Sequence, residues 1–285
     1  MALQGSGPIS LANIQTEFGG SNPISLSEYY RNGAYVTSNN TGVPTSGVIS
    51  LNQFYGTTAQ FSFAISSNYS SPQDLRTLAL AAGWDGTDYL VATNNAIISS
   101  NTTSSAALTI SGSFPNGVLF VNNGYVVGMG GRGGAAEGNG GNREGYAGGS
   151  ALSISSAVSI NNAGTLAGGG GGGSSSTSFG WSGTILTGGG GGGASGLTPA
   201  IAGFCYYNST AQPSQYNAST GMYSTGGATS PGYISGVVAP QAGYGGSWGS
   251  AGGAGGYGGG AGGAAVSGNS YVTWVATGTR YGALV

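Results

Sequence analysis

Histidine and lysine are both absent from this chain, and cysteine occurs once, as Cys205. The missing imidazole removes the commonest general base and metal ligand. A single thiol excludes an internal disulfide and gives no basis for a transition-metal site, so no metal and no cofactor is expected. Charged residues are scarce, at 4%, with a formal net charge of −2. The only cations are Arg31, Arg76, Arg132, Arg143 and Arg280, too few for the basic surface that nucleic-acid binding needs. Electrostatic steering is weak, so recognition must rest on short-range contacts. No run reaches transmembrane length, and the N-terminus shows neither a basic nor an apolar signal region. The expectation is a protein made in the cytoplasm and not inserted into a membrane.

What is present is glycine, 62 of 285 residues. Six occur in succession at Gly168–Gly173 and again at Gly188–Gly193, and glycine dominates 243–263. Without Cβ atoms such runs cannot bury side chains, so neither an ordinary helix nor an ordinary strand accounts for them. They can extend as polyproline-II-like threads, where six residues at about 3.1 Å span roughly 19 Å. One thread has no internal hydrogen bonds and cannot offset an ordering cost of about 1–2 kcal/mol per residue. A bundle can, because threads without side chains approach closely enough to exchange N–H···O and Cα–H···O contacts. Two runs of equal length favour a bundle over a flexible linker.

Residues 1–60 carry three Ile-Ser-Leu units, ISLANIQTEFG, ISLSEYYR and ISLNQFYG. Each serine can cap a helix of one or two turns, and helices so short must dock their apolar side chains onto something. With so little core in view, the segment reads as one that attaches to a partner. The candidate attachment residues are Ile9, Leu11, Ile14, Phe18, Ile24, Leu26, Tyr29, Tyr30, Ile49, Leu51, Phe54 and Tyr55.

Residues 61–127 read as a small α+β domain. Strands are expected at Phe61–Ile65, Tyr89–Val91, Ala96–Ile98, Ala107–Ile110, Val118–Val121 and Tyr125–Val127. A helix is expected from Ser71 as cap, with Pro72 in its first turn, to Gly83. Pro115-Asn116-Gly117 and Asn122-Asn123-Gly124 read as turns. From 128 to 285 glycine blocks alternate with strands at 151–160 and 271–275 and with inserts at 174–187, 197–242 and 244–250. The inserts place Phe179, Trp181, Phe204, Tyr206, Tyr207, Tyr216, Tyr223, Tyr233, Tyr244 and Trp248 among Ser, Thr, Asn and Gln. Antibody loops bind with this combination of rigid aromatic area and adaptable polar groups, and binding concentrates on loops held by a rigid scaffold. These ten residues are the candidate binding set.

Catalytic patterns are weak. Gly128–Gly133 matches G-x-G-x-x-G, but no helix follows, and chance matches abound in such a chain. Asp85 and Asp88 could form a glycosidase pair, yet turn capping explains them better. Glu137 and Glu144 read as local ion-pair partners of Arg132 and Arg143. No enzyme is expected.

The run Asn122–Gly134 (NNGYVVGMGGRGG), then Ile160–Ala167 (INNAGTLA) before the first hexaglycine, resembles the distal tail-fibre adhesins of T-even-like bacteriophages. Gly262–Asn269 and Gly278–Gly282 fit as well, and Ala81–Gly86 is common in related glycine-rich phage proteins. The resemblance covers about residues 72–285. It implies a mainly β and irregular fold, a sandwich of polyglycine-II helices with flanking strands. It also implies that the connecting loops bind an outer-membrane protein or surface glycan of the host. The Ile-Ser-Leu units look like segments of phage tail and baseplate proteins, implying a virion location and attachment to another tail, fibre or baseplate protein. Two alternatives stand beside this reading: a purely structural tail component, and an ice-binding polyglycine-II protein.

Overall fold

Three serines open three short helical segments. Helix α1 spans Leu11–Phe18, and 3-10 turns follow at Leu26–Tyr29 and Leu51–Phe54. In each, the cap N–H donates to a side-chain oxygen three residues on: Ser10 to Asn13 at 2.9 Å, Ser25 to Glu28 at 3.1 Å, and Ser50 to Gln53 at 2.8 Å. Each segment delivers one buried aromatic, and Phe54 meets Phe18 and Tyr29 edge-on at 6.3 and 6.4 Å. Ile14, Val36 and Val43 complete this core. Buried Asn40 holds the Thr58 backbone in both directions, at 2.9 Å each. The segment carries a core of its own, where the sequence suggested one supplied by a partner. Helices marginal alone stabilise one another by packing.

The computed structural model describes every residue except 1–2, 38–39, 136–142, 178, 182–183, 188–192, 202–204, 208–209, 213–232, 235–236 and 239–240. The chain divides into two units, Met1–Phe63 with Thr77–Ala92 and Ser113–Leu119, and Ala64–Arg76 with Thr93–Gly112 and Phe120–Val285.

Strands dominate. They are β1 (Gln60–Ile65), β2 (Gln73–Asp74), β3 (Tyr89–Asn94), β4 (Ile97–Ser99), β5 (Leu108–Ile110), β6 (Val118–Asn122), β7 (Tyr125–Val127), β8 (Leu152–Ile154), β9 (Val158–Asn162) and β10 (Thr165–Ala167). The inserts contain β11 (Phe179–Trp181), β12 (Thr184–Thr187), β13 (Cys205–Tyr207), β14 (Thr210–Gln212), β15 (Tyr233–Ile234) and β16 (Val237–Val238). The chain closes with β17 (Val266–Ser267), β18 (Val272–Ala276) and β19 (Thr279–Tyr281). Helix α2 covers Leu75–Ala81. It starts later than the sequence suggests, because the Gln73 N–H donates to the Ala107 carbonyl at 2.9 Å and draws Gln73 and Asp74 into a ladder. Gly83, at φ +103°, ends it as expected.

Three sheets, ordered β1-β3-β6-β9-β18, β4-β7-β10-β19 and β2-β5-β8-β17, receive successive strands in rotation. From β3 to β10, a strand in the first is followed by one in the second and then one in the third, so each chain circuit stacks on the one before. Pairings in the second and third sheets are parallel. Alternation supplies the interior: Ile98, Val126 and Leu166 align in one sheet, and Leu108, Leu152 and Val266 in another, all fully buried. Asn122-Asn123-Gly124 therefore does not close a hairpin. It turns the chain from one sheet to the next.

At that corner, buried Asn94, Asn122 and Asn162 form a ladder. The Asn94 amide donates to the Asn122 carbonyl oxygen at 2.8 Å, and the Asn122 amide donates to Asn162 at 2.8 Å. The Asn162 amide ends the chain on the Thr277 carbonyl at 2.8 Å. Strands assigned by sequence to 61–127 and to 128–285 thus share sheets and a hydrogen-bond ladder.

Candidate functional site

The first hexaglycine lies at the centre of a lattice of backbone. The carbonyls of Ala167, Gly170 and Gly173 accept from Gly128, Gly131 and Gly134, each at 2.8 Å. Those of Gly169 and Gly172 accept from Gly263 and Gly260, and those of Gly168, Gly171 and Ser174 from Gly249, Gly246 and Gly243. In the other direction, Gly169, Gly172 and Ser175 donate to Gly149, Tyr146 and Arg143. Gly170 donates to Ala194, while Gly171 and Ser174 donate to Ser250 and Gly253. Six neighbouring segments surround one thread, and contacts to a given neighbour recur every third residue.

The glycines are required by approach and not by dihedral angle. None of Gly168–Gly173 takes a left-handed φ, yet a Cβ at any of them would lie 1.9–2.0 Å from a carbonyl oxygen of a neighbouring segment. The G-x-G-x-x-G match at Gly128–Gly133 belongs to this lattice, with the Gly128, Gly131 and Gly133 amides spent on carbonyls. Amides engaged in this way are not free to cradle a phosphate.

The lattice pins the bases of the inserts. The first leaves at Ser175, bonded to Arg143, and returns at Gly193, bonded to Gly131. The second leaves at Ile201, whose carbonyl accepts from Gly133, and returns at Gly243, bonded to Ser174. Between these points β11-β12-β13-β14 form an antiparallel sheet, and β15 and β16 pair with each other. Register places Phe179, Leu186 and Tyr207 in one row and pairs Trp181 with Thr184, Tyr206 with Thr187, and Tyr233 with Val238. Phe204, Tyr216 and Tyr223 lie outside the described residues, as does most of the second hexaglycine. Tyr244 is 53% exposed, its hydroxyl accepting from Gln241 at 2.8 Å. Trp248 is only 8% exposed and sits between Tyr125 and Tyr281. Sequence reasoning did not single out those two tyrosines. For Tyr125 the available signal was an aromatic at the outward position of a strand whose next residue, Val126, is buried.

Of the attachment candidates, Ile14, Phe18, Tyr29 and Phe54 are buried in the core of the first unit. Ile9, Leu11, Ile24, Leu26 and Ile49 are partly buried against that core, Tyr30 is half-buried, and Leu51 and Tyr55 are exposed, with Val48 beside them at 88%.

Asp85 caps a turn. One carboxylate oxygen accepts from the Thr87 N–H at 2.8 Å, the Thr87 hydroxyl at 3.0 Å and the Asp88 N–H at 3.1 Å. Burial works to raise its pKa, but these bonds outweigh it and hold the carboxyl below the usual carboxylate range. A depressed pKa stabilises the fold above the unfolded value of about 3.9, and that contribution disappears as pH falls through the folded value. Asp85→Asn should lower the unfolding temperature slightly at pH 7 and leave it unchanged near pH 2, as read by thermal scans at the two pH values. Glu137 lies outside the described residues, and Arg143 stacks over Tyr257 at 5.2 Å. Among the described residues no group of three or more His, Cys, Asp or Glu side chains could hold a metal, and no helix is long and apolar enough to cross a membrane.

The family model described as phage tail fibre adhesin Gp38 matches residues 60–285. The chain belongs to that family. The adhesin is therefore a phage tail-fibre protein that binds, and not an enzyme. A solved structure, the gp37-gp38 adhesin tip complex of the bacteriophage S16 long tail fibre, resembles it with a TM-score of 0.59 at 24% identity, covering 100% of both chains. No curated protein matches the adhesin in sequence. Residues 1–59 lie outside the range of the family match.

Proposed function

We propose that this adhesin binds a host-surface receptor, an outer-membrane protein or glycan, through its aromatic inserts on a polyglycine-II scaffold. The observation that carries the reading is the pinning of both ends of the first two inserts into the backbone lattice around Gly168–Gly173. Rigid bases lower the ordering cost of binding. Hydrogen bonds recurring every third residue, among glycines without left-handed φ, support the polyglycine-II assignment. The proposed contact set is Phe179, Trp181, Phe204, Tyr206, Tyr207, Tyr216, Tyr223, Tyr233, Tyr244 and Trp248. Residues 1–60 act as the attachment module toward another tail-fibre protein, through the half-exposed Ile-Leu pairs and through Leu51 and Tyr55. The similar solved structure is itself a complex of two fibre proteins.

The test replaces 202–240 with a short Gly-Ser linker between Ile201 and Gln241. The variant should unfold within a few degrees of the parent, while phage carrying it should lose adsorption to background. Unchanged adsorption would transfer the function elsewhere and favour a purely structural role for the inserts.

A further inference from the structure

A cleft of about 480 Å³ opens on the outward face of the sheet β4-β7-β10-β19. Ile97, Tyr125, Thr165 and Thr279 stand in one register row, and Tyr281, two residues beyond Thr279, shares their face. Tyr125 and Tyr281 are 46% and 44% exposed. Trp248 lies between them, with ring centroids 6.4 and 5.8 Å away. Its indole N–H donates to the Ser195 carbonyl at 3.4 Å, so it offers the cleft ring surface and not a donor. Gly249 holds it there: φ is +65°, and a Cβ would meet the Gly282 nitrogen at 2.2 Å.

Among the described residues, no charged side chain lines the cleft. Strand alternation sends Arg280 to the opposite face, where its guanidinium lies 4.9 Å from the Trp274 ring. The hydroxyls of Tyr125, Tyr281, Thr165 and Thr279 make no hydrogen bond among the described residues.

We propose that this cleft binds a neutral pyranose unit of a surface glycan. A pyranose presents an apolar C–H face, which suits the electron-rich faces of Tyr and Trp, and a rim of hydroxyls that both donate and accept. Threonine and tyrosine hydroxyls match that rim. A wholly apolar ligand would strip water from four hydroxyls and return nothing, which is unfavourable. An acidic sugar or a phosphate would find no cation. The volume falls within the range of about 300–1,000 Å³ typical of small-ligand sites. Its described lining includes no residue of 202–240 and shares only Trp248 with the proposed receptor contacts, so a variant lacking 202–240 separates the two readings.

The experiment is a saturation-transfer NMR titration of the full chain with methyl α-D-glucopyranoside, methyl β-D-galactopyranoside and methyl α-D-mannopyranoside, with phenol as an apolar probe. At least one glycoside should saturate with a Kd of about 1–10 mM, an affinity ordinary for a single small ligand. Tyr125→Ala and Tyr281→Ala should each weaken it about tenfold, a loss of about 1.4 kcal/mol. Both tyrosines are half exposed, and an unchanged unfolding temperature would verify the fold. Thr279→Val, which keeps shape and removes only the hydroxyl, should weaken binding severalfold. The variant lacking 202–240 should bind as the parent does. The proposal fails if no glycoside saturates, if phenol alone binds, or if both tyrosine variants bind like the parent.

Discussion

Gly171→Ala should lower stability by at least about 3 kcal/mol, at or beyond the upper end of ordinary overpacking. The added methyl would lie 1.9 Å from the Gly260 carbonyl oxygen and 2.8 Å from that of Ala261. Ordinarily a neighbour yields by a few tenths of an ångström. Here the neighbour is backbone, held by its own bonds: Gly260 donates to Gly172 and accepts from Gly252, each at 2.8 Å. At about 2–4 °C per kcal/mol for a chain of this size, the melting temperature should fall by roughly 6–12 °C, or soluble protein should be lost. Gly258→Ala is the matched control. Nothing lies within 4 Å of its Cβ position and its φ is not left-handed, so the change should stay within about 0.5 kcal/mol. Equal effects at the two sites would refute close packing of threads as the source of rigidity. Hydrogen exchange gives a second readout, since the amides of Gly169 and Gly172 should exchange far more slowly than a free coil.

Asn122→Leu should cost about 2–4 kcal/mol, although it adds apolar volume to a buried position. The Asn94 amide would lose its acceptor and the Asn162 carbonyl oxygen its donor, both out of reach of water. A buried unsatisfied group costs about 1–3 kcal/mol, and two arise at once. Asn123→Ala is the comparison one residue along. Its amide bonds to Asn95 at 3.0 Å in an exposed setting, where water replaces the lost partner, so its effect should stay below about 0.5 kcal/mol. Thermal unfolding of the pair separates a ladder that holds the corner from a chance run of asparagines.

Several features were legible in residue order. The three serine caps, the helix end at Gly83 and most strands follow from local rules that act within four residues. The asparagine ladder had a visible trace in the repeated Asn-Asn pairs at 94–95, 122–123 and 161–162. Alternation alone does not distinguish a hairpin from a corner between sheets, so Asn122-Asn123-Gly124 read simply as a turn. Gln73 and Asp74 left the helix because Ala107, far along the chain, offered a carbonyl. The insert aromatics were legible as a class, while Tyr125 and Tyr281 were not, since a strand tyrosine reads as core until its neighbours are known.

By itself the sequence determined what chemistry this adhesin lacks, that its glycine runs needed company to be ordered, and where its short elements begin and end. Only the tertiary structure decided that one hexaglycine would be enclosed by six segments, that the strands would stack in rotation on three sheets, and that Trp248 would close a cleft. The reason is physical. Capping and periodicity are short-range and are written in adjacent residues, whereas the fit of bare backbone against bare backbone depends on partners tens of positions away, such as Gly171 against Gly260.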